Sequence, residues 1–163
     1  MKFDKYLRTI LEQAGHEAQQ DGSTTIEAQH LLLAIAARTE TSESRLLSSV
    51  GLDPGGLRQA LDREYEHSLA AAGVSLQAFA LPRPSSAPEA ARHVGASVRY
   101  ALERGLAGVR TSPQPAHLLL GILQAEVGTV PRALGLQDID RTELVRRIEQ
   151  TLSGEQRQAG AGG

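Results

Sequence analysis

A chain of 163 residues provides one ordinary domain or two small subdomains sharing a core. Its residues are 40% hydrophobic but only 3% aromatic, so the core has to be built from Leu, Ile, Val and Ala, which suits helix packing better than a β-sandwich. Seventeen Lys and Arg against 19 Asp and Glu give a formal charge of −2 and no global pull toward nucleic acid or an anionic membrane; the lack of cysteine excludes disulfides, thiolate metal sites and a thiol nucleophile.

Phe3, Leu7, Ile10, Leu11, Ala14 and Ala18 form an apolar stripe at helical spacing, with Glu12, Gln13, Glu17 and Gln20 opposite. The pattern predicts an amphipathic helix, stopped by Asp21-Gly22-Ser23. A second helix, from Glu27 to Arg38, is apolar on every side through Leu31 to Ala37 and is expected to be buried; Thr24 and Glu27 have capping-box spacing before it. A short third helix carries Leu46, Leu47 and Val50 and ends at Gly51. Asp53-Pro54 then supplies an N-cap and a first-turn proline for a fourth, with Leu57, Leu61, Tyr65 and Leu69 in line. From Ala70 to Pro88 the periodicity fails among glycine, prolines and serines, a linker whose Val74, Leu76, Phe79 and Leu81 are expected to lie partly against the protein.

After the linker the plan recurs. Pro88 is expected to open a helix with Ala90, Val94, Val98, Ala101 and Leu102. His117-Leu118-Leu119-Leu120-Gly121-Ile122-Leu123 repeats His30-Leu31-Leu32-Leu33-Ala34-Ile35-Ala36. Gly135-Leu136 echoes Gly51-Leu52, and Asp140, like Asp53, caps a last helix with Leu144, Val145, Ile148 and Leu152. The fold class is therefore all-α, about eight helices in two four-helix repeats related by a pseudo-twofold axis. The expected division is a first repeat over 1–69, the linker over 70–88, a second repeat over 89–153 and a disordered tail over 154–163.

His16, His67 and His93 have no ligand-type partner at helical spacing, so no metal or cofactor is expected. His30 and His117 stand at equivalent starts of buried helices, where an imidazole hydrogen-bonded to backbone would orient the preceding turn. No phosphate-binding glycine loop or serine-nucleophile motif occurs, and no carboxylate pair stands out, so catalysis is not expected. Arg141, Arg146 and Arg147, or Arg99, Arg104 and Arg110, could make a basic patch for a helical nucleic-acid-binding regulator. Interleaved Glu and scarce aromatics favour a solvated face, and no nucleic-acid partner is expected. No apolar run reaches the roughly 20 residues of a membrane span and MKFDKYLRT lacks a signal peptide's apolar stretch, so a cytoplasmic protein without a membrane partner is expected.

The unit FDKYLRTILEQAGHEAQQDG, followed by I-x-x-x-H-L-L-L-A-I at Ile26 to Ile35 and S-x-L-L-x-x-V-G-L, resembles the Clp N-terminal repeat domain of Hsp100 chaperones, ClpC above all. APEAARHVGASVRYALERG and AHLLLGIL in the second copy are similar to the same family, and the resemblance spans about 3 to 152. It implies a non-enzymatic docking module that binds peptide-like ligands, Clp adaptors, clients or ClpC itself; the chain is expected to be either a stand-alone protein without the family's AAA+ rings or a piece of a longer one. The family uses an acid just before each repeated His to receive the guanidinium of phosphoarginine. Gln29 and Ala116 occupy those places, which weakens that charge-assisted contact at the first and removes it at the second. The partner-binding residues implied are Phe3, Gln29, His30, Ala116 and His117.

Overall fold

In the computed structural model, which describes residues 2–73 and 86–162, the elements follow the order α1 (Phe3–Gln20), β1 (Thr25–Ile26), α2 (Ala28–Ala37), α3 (Ser42–Ser49), α4 (Pro54–Ala71), β2 (His93–Val94), α5 (Ala96–Leu106), α6 (Pro115–Leu123), α7 (Thr129–Leu136) and α8 (Arg141–Ala161). The fold is all-α apart from the two short strands. Thr41 and Asp53 accept side-chain caps from Ser44 N–H and Gly56 N–H, and Asp140 does the same for Glu143. Apolar on all sides, α2 and α6 lie at the centre; Leu31, Leu32, Leu118, Leu119 and Ile122 are fully buried. One continuous core takes residues from both repeats.

The repeat runs at a constant spacing from the second helix of each copy: His30 with His117, Leu47 with Leu134, Asp53 with Asp140 and Leu57 with Leu144 are each 87 residues apart. The partner of Gly51-Leu52 is thus Asp138-Ile139 and not Gly135-Leu136. Backbone bonds agree: Leu52 N–H donates to Leu47 O at 2.9 Å, and Ile139 N–H to Leu134 O at 3.1 Å, closing the same helix-end turn. That turn needs a left-handed residue, supplied by Gly51 at φ 83° and by Asp138 at φ 54°. Replacing Asp138 by glycine should relieve backbone strain of about 1–2 kcal/mol against an unfolded-state cost of about 0.4–1 kcal/mol. Urea denaturation of Asp138→Gly is expected to show a net gain of roughly 0.5–1 kcal/mol.

The second repeat departs from the expected plan at its start. The helix does not begin at Pro88, because the backbone of this stretch is bonded elsewhere. Ala87 N–H donates to Gln19 O at 2.8 Å and Ala91 N–H to Gly15 O at 3.1 Å, so the chain crosses α1. Gly15 permits the crossing: a Cβ there would stand 2.5 Å from Ala91 O. The chain then pairs in parallel with β1, Thr25 opposite His93 and Ile26 opposite Val94, and Gly95 N–H donates to Ile26 O at 2.8 Å. His93 is therefore a strand residue. Helix α5 starts only at Ala96, beside the start of α2, where Ser97 Oγ accepts from Ala28 N–H at 2.8 Å and donates to the Glu27 carboxylate.

One further expectation changes. Residues 154–161 are not a disordered tail but continue α8, since Glu155, Gln156, Arg157 and Gln158 are ordinary helix formers with no proline among them. The linker positions Val74, Leu76, Phe79 and Leu81 lie outside the described residues. No helix among the described residues is long and apolar enough to cross a membrane.

Candidate functional site

Both repeated histidines cap the helix they open. Nδ1 of His30 accepts from Glu27 N–H at 2.9 Å, and Nδ1 of His117 accepts from Gln114 N–H at the same distance. Each ring is buried, and the backbone role read from the sequence is met in both repeats. With Nδ1 accepting, the proton of the neutral ring sits on Nε2. In His30 that Nε2 lies 3.0 Å from Asp21 Oδ2, at the end of α1.

Beside His30 the surface opens into a pocket of about 350 Å³ at the junction of the repeats. Helix α2 contributes Gln29 and His30, the end of α1 Asp21, α4 Leu61, Asp62, Glu64 and Tyr65, and α7 of the other repeat Thr129. Every lining carboxylate comes from the first repeat, and no Lys or Arg lines the pocket. Glu64 is buried and already held: Arg132 Nε from α7 is 2.9 Å from its Oε1, and Ser68 Oγ donates to the same oxygen at 2.6 Å. This ion pair ties α4 to α7 and fixes the pocket wall. A larger groove, about 470 Å³, lies apart between α1 and β2 over Leu7, Leu11, Ile26 and Val94.

The remaining predicted site residues are not brought to this pocket. Phe3 packs at the core margin with its ring 6.2 Å from Tyr6. Ala116 and His117 are buried at the start of α6, in the second repeat. Among the missed residues, Asp62 and Glu64 sit on α4 between its apolar positions, and nothing in its period marks them as facing a cavity; Tyr65, read as part of the apolar stripe, is instead exposed at the pocket mouth. Four of the six arginines weighed as a basic patch are engaged within the protein. Arg146 and Arg147 both bind Glu143, whose carboxyl they hold down at about 2. Arg141 donates to the carbonyls of Leu123 and Ala125, and Arg104 to Gly121 O at 3.0 Å. Among the described residues no cluster of His, Asp or Glu could hold a metal ion.

Burial lowers the pKa of His117 below its ordinary value, against a smaller opposing effect of the Glu155 carboxylate. A proton added at Nδ1 would also face the Gln114 amide hydrogen. A base with a depressed folded-state pKa leaves stability intact above its unfolded value of about 6.5 and loses it as pH falls toward the folded value. His117→Asn keeps an acceptor near Nδ1 and removes the titration. The wild-type protein should therefore lose more stability than this variant between pH 7.5 and pH 5, as measured by urea denaturation at each pH.

Residues 2–81 match the family model of the Clp repeat (R) N-terminal domain. The chain carries a Clp N-terminal repeat domain. The solved N-terminal domain of the caseinolytic protease associated chaperone ClpD from Arabidopsis thaliana resembles it with a TM-score of 0.59, over 93% of this chain and 96% of that one, at 18% identity. No curated protein matches the sequence. The sequence match covers the first repeat and part of the linker; the structural likeness extends over the second repeat as well.

Proposed function

We propose that this Clp N-terminal repeat domain is a non-enzymatic docking module that receives protein segments at the junction pocket. The pocket around Gln29 and His30 carries the reading. It is concave, built by both repeats, and carries three carboxylates, Asp21, Asp62 and Glu64, without a Lys or Arg in its lining, so it suits a partner side chain that brings donors. Family membership supports protein partners in a chaperone system. Within such a system the module serves in the cytoplasm as an accessory factor or decoy, competing for clients and adaptors of ClpC. Phe3, Ala116 and His117 keep a supporting place in this reading, through the packing and capping that hold the two repeats together.

The test uses fluorescein-labelled β-casein as an unfolded protein partner, read by anisotropy. Wild type is expected to bind it, and Gln29→Arg, which puts a cation into the pocket, to bind at least about tenfold more weakly. That ratio corresponds to about 1.4 kcal/mol. Equal binding by the two proteins, or none by wild type, overturns the proposal.

A further inference from the structure

The two repeats share a plan, and Asp62 is matched by Glu149 and Leu61 by Ile148, yet their environments around the repeated histidine differ at several lining positions. Gln29 is matched by Ala116, Glu64 by Thr151 and Tyr65 by Leu152. At the end of the first helix of each repeat, Asp21 is matched by Ala107, which offers His117 no side-chain acceptor. Tyr65 is 42% exposed at the pocket mouth, whereas Leu152 is 7% exposed and belongs to the core. The walls differ too. Helix α4 packs closely on α7 of the other repeat through Glu64 and Arg132, while α8 makes no comparable contact with α3 and lies instead along α6 of its own repeat.

We infer that α8 fills, with Leu152, the second-repeat counterpart of the junction pocket, so that the molecule offers one ligand site and not two. This rests on the docking reading above. The occupant is the chain's own helix. Arg141 at the start of α8 binds carbonyls at the end of α6, so α8 runs back along α6, bringing Leu152 toward His117. The apolar side chain takes the place that an exposed aromatic ring and a carboxylate border in the first repeat.

Each histidine reports on its own repeat, which makes the test direct. The probe is N-acetyl-L-argininamide, whose guanidinium carries only donors. It is titrated into the wild-type protein while the ring C–H signals of His30 and His117 are followed by NMR, assigned with His117→Asn. The expected result is a saturable shift at His30 and none at His117. Saturable shifts at both rings overturn the single-site inference and leave the docking reading standing, whereas a shift at His117 alone overturns both. Silence at both rings removes the pocket as a ligand site, and both proposals with it. A Leu152→Ala variant should make His117 respond as well; if that variant is folded and His117 stays silent, Leu152 is not what fills the site.

Discussion

Gly121→Ala is expected to destabilise the protein by about 3 kcal/mol, although alanine is the better helix former. A Cβ at Gly121 would stand 1.9 Å from Ala101 O and 2.8 Å from Gly105 N, and neither atom can step aside because both are backbone of α5. Gly105 makes the reciprocal approach, with a Cβ position 2.1 Å from His117 O. Helices α5 and α6 thus touch backbone to backbone, which lets the shortened α5 still cover α6. Gly135, in α7, is the internal control. Nothing lies within 4 Å of its Cβ position, so Gly135→Ala should stabilise by roughly 0.5–1 kcal/mol through helix propensity alone. Guanidinium denaturation of the two variants would show opposite signs; a neutral Gly121→Ala would mean that α5 and α6 do not meet so closely.

The sequence reveals what periodicity and caps encode. The apolar runs of α2 and α6, the Asp53 and Asp140 caps and the repeated His all stand where pattern places them, because each depends on neighbours within a turn or two. Long-range contacts are less legible. Glu17 belongs to the polar face of α1 by period, yet it is 4% exposed, because Arg58 from α4 meets its carboxylate at 2.6 Å and removes the cost of burial. Glu64 is buried for the same reason, by an arginine 68 residues away. The segment from Ala87 to Val94 reads as a helix by its alanines, but α1 carbonyls and β1 take its hydrogen bonds. In the pocket, Gln29 and His30 are found by their place in the repeat, whereas Asp21, Tyr65 and Thr129 become neighbours only when α4 docks on α7.

Because the core is continuous across the repeats, damage in one should be felt in both. Leu119 is fully buried in α6, which packs against α1, α2 and α3 of the first repeat as well as α5, α7 and α8 of its own. Truncation to alanine leaves a cavity that such a crowded helix cannot collapse, and Leu119→Ala is expected to lose about 2–5 kcal/mol. For a chain of this size that lowers the melting temperature by roughly 2–4 °C per kcal/mol. The informative part is the distribution of the loss. If the repeats were independent, amide exchange in α1 and α2 would be unchanged while α5 to α8 opened more often. With one core, the most protected amides of α2 should lose protection by the same free energy as those of α6, and the thermal transition should stay single. Leu31→Ala, at the matching depth in the first repeat, should give the mirror result, since α2 reaches α5, α6 and α7.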